Sequence, residues 1–268
     1  VYSTTMAVAT FTPPLAAVPL AEAVGWRGSF VTWAAVAVVA VVPWIAMSLR
    51  ARASRSDMVA EPGSSVLSRI VRVPQTWALV ITFGVNSAVA YGMFAWLPLI
   101  LIDDAGVDAA EAGGLLALFA FMGLPVSLLV PVLVARLGRT TPFYAVAILG
   151  GLTGIVGLLV APATATALWV VLIGIPPLMF PLALVLFGLR TRSHETAVAV
   201  SAFVQSTGYG FAALMPLAIG VTHEVTGGWT AGLVVLGGAL LLVVPAAIVM
   251  ARRETVEEAW ERRTGTSW

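Results

Sequence analysis

Eight apolar stretches of about 20 residues each run through this chain, and that is the length of helix that crosses a hydrocarbon core. The chain is 60% hydrophobic and 10% charged, where a soluble domain carries about 25% charged residues. The stretches are continuous, without the polar–apolar alternation of barrel strands. Helices satisfy their backbone groups internally, as lipid demands. The reading is an all-α membrane protein with helices near 4–21, 30–49, 76–102, 112–135, 142–161, 167–189, 197–221 and 230–250.

The charges between the stretches alternate in sign. One set of gaps holds Arg50, Arg52, Arg55, Arg69 and Arg72, then Arg136 and Arg139, then Arg190 and Arg192, then Arg252, Arg253, Arg262 and Arg263. The other set holds Arg27 with Glu22, Asp103, Asp104, Asp108, Glu111 and Glu224. Arg-rich short loops stay in the cytoplasm. The expected orientation therefore puts both ends of this stretch inside.

Net charge is +1, which gives no field for nucleic acid. The chain has no Cys, so disulfides, thiolate metal sites and cysteine nucleophiles are excluded. His223-Glu224 fails as the start of a zinc-peptidase motif, because the second His would fall at Gly227. Two His in loops and no intramembrane carboxylate argue against a membrane-embedded enzyme. No cofactor is expected.

The chain begins with Val, and its first span starts almost at once. Residues 50–75, with Pro62 and Gly63 among their charges, read as a cytoplasmic linker with a short surface helix around 66–73. Two spans precede it and six follow. An echo links the two ends: Pro19-Leu20-Ala21 with Gly25-Trp26, and Pro216-Leu217-Ala218 with Gly228-Trp229. A six-span repeat of the same orientation is the parallel repeat of one large transporter fold. The second, fifth and eighth spans are nearly bare of polar groups, which suits the lipid-facing periphery. The expected domains are 1–49 (last two helices of a first half), 50–75 (linker), 76–251 (a six-helix second half) and 252–268 (a solvated cytoplasmic tail, with Glu258 and Arg262 one helical turn apart).

These features resemble the major facilitator superfamily, with the spans matching the fifth to twelfth of twelve and the front missing. The loop Pro131-Val132-Leu133-Val134-Ala135-Arg136-Leu137-Gly138-Arg139 resembles that superfamily's cytoplasmic Gly-x-x-x-Asp-Arg-x-Gly-Arg signature. Arg136, Gly138 and Arg139 match it; Pro131 and Ala135 replace the Gly and the Asp. Two stretches resemble more narrowly the cyanate/nitroimidazole transporter family. One is Tyr91-Gly92-Met93-Phe94-Ala95-Trp96-Leu97-Pro98. The other runs from Phe187-Gly188-Leu189-Arg190 through Ser201-Ala202-Phe203-Val204-Gln205-Ser206-Thr207-Gly208-Tyr209. The resemblance implies a secondary carrier of a small polar or anionic solute, working by alternating access in the plasma membrane.

Polar groups inside spans mark the candidate pathway. Ser201, Gln205 and Tyr209 recur at every fourth position of the seventh span, and serve either a solute path or interhelical hydrogen bonding. Asn86 and Tyr91 lie in the third span, where solute contact and helix adhesion are both open. Trp96, near the outer end, is an interfacial anchor or part of an outer gate. Pro176-Pro177 with Gly174 and Pro181 mark the sixth span either as a bent, gate-forming helix or as a membrane helix that tolerates its prolines. No ionisable group sits in the middle of a span, so proton coupling would need residues outside this chain. The partners expected are the bilayer and a small solute. The alternatives are an embedded enzyme, or a non-transporting piece that needs the missing half.

Overall fold

A computed structural model describes residues 2–53 and 64–268. The expected linker at 50–75 therefore lies partly outside the described residues. What is described of it is the end of α1 (Tyr2–Ala53) and a short helix, α2 (Ser64–Ile70). The helices then run α3 (Pro74–Ala105), α4 (Ala109–Phe121), α5 (Gly123–Leu137), α6 (Thr141–Val160), α7 (Thr166–Ile173), α8 (Met179–Leu189), α9 (His194–Ala212), α10 (Leu214–Thr226), α11 (Thr230–Leu241), α12 (Val243–Ala251) and α13 (Val256–Thr264).

Among the described residues these join into seven stretches long and apolar enough to cross a membrane. The first covers the two spans expected at 4–21 and 30–49. No loop parts them. Helix continues on both sides of Gly25, which alone takes φ 73°, ψ 164°, a region open essentially to glycine. The break at Gly25 restores the eight expected spans. The other boundaries run up to five residues longer than the sequence suggested, because caps lie beyond the apolar runs. Ser193 accepts from the Thr196 N–H at 3.1 Å and starts α9, and Gly227 at φ 73° ends α10.

Most breaks inside the spans have one cause. Met122 separates α4 from α5, Ala213 separates α9 from α10, and Leu242 separates α11 from α12. A proline follows each break three residues later: Pro125, Pro216 and Pro245. Proline has no N–H for the carbonyl four residues back, and its ring crowds that carbonyl. The chain tightens locally in response. The Met122 N–H reaches both Leu118 O and Phe119 O at 3.2 Å, and the Leu242 N–H reaches Gly238 O and Ala239 O. In the sixth expected span a 3-10 turn, Pro176–Leu178, joins α7 to α8. There the Ile175 N–H takes the Leu172 carbonyl at 3.2 Å.

α3 is the central helix, packed on α4, α8, α9, α10 and α12. α6 presents Gly154 and Gly157 to α7, so closely that a Cβ on Gly154 would lie 2.8 Å from the Trp169 carbonyl. Its other face, with Val146, Leu149, Val156 and Val160, is exposed, and Phe30 to Leu49 expose most of their apolar side chains. These surfaces suit lipid. α1 packs against α4 and α5.

The tail differs from expectation: it is docked, and Glu258 does not pair with Arg262. Val256, Glu257 and Ala259 are buried. Thr255 and Glu258 form a reciprocal capping box at the start of α13. Glu258 then meets Arg192 at 3.3 Å, while Arg262 reaches back to Glu254 at 2.6 Å. Glu254 also accepts from Gln75 at the start of α3. Glu257 accepts the Arg192 N–H at 2.9 Å, and Arg69 of α2 lies over the Trp260 and Trp268 rings. The tail thus clasps α2, α3 and the α8–α9 turn.

The Arg262 hydrogen bond holds Glu254 below the usual carboxylate range, and the Thr255 backbone N–H does the same for Glu258. A carboxylate depressed in the folded state stabilises it above the ordinary pKa, and that contribution is lost as pH falls through the depressed value. After correction for intrinsic exchange rates, the protection of residues 256–264 should therefore be constant from neutral pH down to about pH 5 and fall below about pH 4. Protection that falls on raising the pH instead would contradict this arrangement.

Candidate functional site

The α4–α5 break and the 3-10 turn border a cavity of about 260 Å³. α3 contributes Asn86, Ser87, Ala90, Tyr91 and Phe94. The α4–α5 break brings Phe119, Ala120, Gly123, Val126 and Ser127. The 3-10 turn and α8 bring Pro177, Phe180, Pro181 and Leu184, α9 brings Tyr209, and α1 brings Thr10. Discontinuous helices around a midspan site are a recurrent transporter device, because they bend without exposing backbone to lipid. Gly174, before the 3-10 turn, sits against the Met122 side chain, so the two breaks touch.

Aromatic contacts shape the walls. Phe83 meets Tyr209 edge-on at 4.9 Å between centroids and Phe180 at 5.8 Å. Tyr91 and Tyr209 are 6.2 Å apart, and Phe94 meets Phe119 edge-on at 5.4 Å. Such rings offer flat faces and polarised edges. The lining residues include no Asp, Glu, Lys, Arg or His. Asn86 stands out among the polar groups of the lining, which also include Thr10, Ser87, Ser127 and the two tyrosines. It is 4% exposed, and among the described residues its Oδ1 accepts no hydrogen bond. A buried amide oxygen left alone costs about 1–3 kcal/mol. Among the described residues with such orphaned atoms, Asn86 is the one that lines this cavity.

The sequence candidates divide. Asn86, Tyr91 and Tyr209 meet in the cavity. Ser201 and Gln205 do not reach it; they line an open groove with Leu184, Phe187 and Ala197, and Gln205 Nε2 donates to Ser201 Oγ at 2.7 Å. The reason is helical phase. Steps of four residues drift by about 40° each, so Tyr209 stands about 80° round α9 from Ser201. Trp96 lies in neither space. Its ring covers Gly220, packs 5.4 Å from Trp229, and its Nε1 donates to Pro216 O at 2.7 Å. Trp229 Nε1 in turn donates to Asp103 at 2.9 Å, and the ring stacks on His223 at 3.8 Å. That cluster ties the C-terminal end of α3 to α10 and α11. Phe119, Phe180 and Ser127 were not singled out from sequence. Their signal was their nearness to Pro125 and Pro177, not their own polarity.

Comparison with known proteins sets this geometry in a family. The sequence profile described as Major Facilitator Superfamily matches residues 1–176. The chain belongs to the Major Facilitator Superfamily. It is 32% identical over 266 residues to an uncharacterized transporter, YycB, of Bacillus subtilis (strain 168), covering 98% of this chain and 65% of the relative. It is 32% identical over 250 residues to the 2-nitroimidazole transporter of Escherichia coli (strain K12), covering 91% and 61%. It is 29% identical over 205 residues to the cyanate transport protein CynX of the same organism, covering 76% and 52%. The chain therefore spans about half to two thirds of the length of these relatives.

The loop that resembles the Major Facilitator Superfamily signature ends α5. Arg136 is in its last turn, and Gly138 takes φ 58° and returns its N–H to Val134 O at 3.0 Å. A left-handed residue there lets the chain turn into α6, and Arg139 follows at the exposed tip.

The α3–α9 crossing that holds Asn86 and Tyr209 in one cavity depends on two glycines. A Cβ on Gly208 would lie 2.8 Å from the Phe83 ring and 3.3 Å from the Gly84 backbone nitrogen. Gly208→Val should therefore part the helices, at a cost of about 1–3 kcal/mol from overpacking. The measurement is thermal unfolding in detergent, with Gly210→Val as the control, since a Cβ there meets nothing. Equal melting temperatures for the two variants would contradict the crossing.

Proposed function

We propose that this chain forms one wall of the solute site in a secondary transporter of the plasma membrane. In this reading residues 76–251 act as one six-helix half. Residues 1–49 are the last two helices of the other, residues 50–75 link them, and residues 252–268 close the cytoplasmic face. The Arg-rich ends lie in the cytoplasm, as loop charge dictates. Rocking of the halves exposes the site to each side in turn.

The observation that carries the reading is Asn86, whose amide oxygen is buried without a partner among the described residues and which lines an aromatic, uncharged cavity. It is an acceptor waiting for a donor, between rings suited to a flat solute. A small planar polar nitrogen compound fits that chemistry. The names of the relatives, 2-nitroimidazole and cyanate transporters, support the same class. With no ionisable side chain in the lining, a proton that drives the movement would bind on residues outside this chain. Catalysis is not part of this reading, since the wall offers no nucleophile with a base beside it.

The test uses the whole transporter polypeptide in vesicles, with 2-nitroimidazole and cyanate as solutes. Asn86→Leu should raise the half-saturating concentration about tenfold, the cost of one lost hydrogen bond of about 1.4 kcal/mol. Tyr209→Ala should do so by a similar factor through lost ring contact. Gln205→Ala, in the separate groove, should change it less than Asn86→Leu does. Wild-type transport by the Asn86→Leu, Tyr209→Ala double variant would overturn the assignment.

A further inference from the structure

We propose that the turn between α5 and α6, with the end of α12, binds the phosphate of an anionic phospholipid in the cytoplasmic leaflet. The inference rests on the membrane orientation above, not on the identity of the solute.

The cytoplasmic face is unevenly neutralised. On the tail side most of the arginines are occupied, Arg72 and Arg252 being exposed exceptions. Arg192 and Arg262 pair with carboxylates, and Arg69 lies over two tryptophans. Arg190 is buried and donates to the Met250 carbonyl at 3.0 Å. Glu254, Glu258 and Glu261 all serve that side. Across the face the arrangement differs. Arg136, Arg139 and Arg253 are exposed and, among the described residues, carry no hydrogen bond or ion pair. They also converge. The Arg253 guanidinium lies against Gly138, 3.5 Å from where its Cβ would be, and Gly138 stands between Arg136 and Arg139. Ala135, next to Arg136, offers no charge where an acid would have offset one.

Gathered like charges repel, and the arrangement calls for a counter-anion. The patch is bordered by Leu133 and Leu137 on α5 and by Ile248 on α12, all exposed and apolar. A phosphate that arrives with acyl chains meets both surfaces at once; a free phosphate meets one. Guanidinium forks match phosphate oxygens in pairs, and the leaflet on that side is negatively charged.

The experiment measures lipid retained by the purified whole protein in native mass spectrometry, from mixed micelles of phosphatidylglycerol and phosphatidylcholine. The wild type should retain phosphatidylglycerol preferentially. Arg136→Gln, Arg139→Gln and Arg253→Gln together should lower that preference about tenfold, and the corresponding triple lysine variant should keep most of it, which separates lost charge from lost folding. Equal preference in wild type and triple glutamine variant would overturn the proposal. So would loss of retained phosphatidylglycerol on adding millimolar inorganic phosphate at constant ionic strength, which would make the patch a site for the free anion.

Discussion

Hydrocarbon gives a backbone carbonyl no water to turn to, and prolines inside these spans each withhold an N–H. The fold follows from how those carbonyls are accommodated. At Met122, Leu242 and the Pro176–Leu178 turn the chain tightens and shares donors. Each adjustment reorients the helix beyond it. Two of them, with the bend at Ala213 just after Tyr209, ring the cavity. The site is thus a by-product of backbone chemistry placed at mid-span, then dressed with aromatic side chains and one amide.

The rest of the architecture keeps those bends in contact. Glycines make this possible where helices must approach closely. Gly174 sits against Met122, and Gly84 and Gly208 let α3 and α9 cross near Phe83. Away from the cavity the chain is held by different means at its two ends. At the C-terminal end of α3, Trp96, Trp229, His223 and Asp103 join it to α10 and α11. At its N-terminal end, the α13 clasp uses a capping box, ion pairs and two tryptophans. The middle is left uncharged, as the low dielectric there requires.

Span number was legible in the sequence because the length of each apolar run decides it directly. The bend at Pro176-Pro177 was legible as one of two readings, since proline acts locally. The candidate site was half legible. Asn86, Tyr91 and Tyr209 stood out as polar groups in apolar helices and do share a cavity. Ser201 and Gln205 stood out equally but face elsewhere, because every-fourth spacing follows a helical stripe that slowly rotates. Phe119 and Phe180 were hidden, since an aromatic residue in a membrane helix looks the same whether it faces lipid or a cavity. The docking of the tail was hidden too: a charged, short helix looks solvated until its partners on α8–α9 and α3 are known. Gly25 replaced an expected loop because one residue in a glycine-specific conformation can break a helix without a connecting segment.

The central claim is that solute sits against α3 and α9 in the aromatic cavity. The chain has no native cysteine, so single introduced thiols within it can report on that directly. The measurement is the rate of maleimide labelling at Ser87→Cys and at Ser201→Cys in the whole transporter, with and without saturating 2-nitroimidazole. The account predicts that solute slows labelling at Ser87→Cys several-fold and leaves Ser201→Cys nearly unchanged. Protection at Ser201→Cys with none at Ser87→Cys would place the solute in the other groove and contradict it.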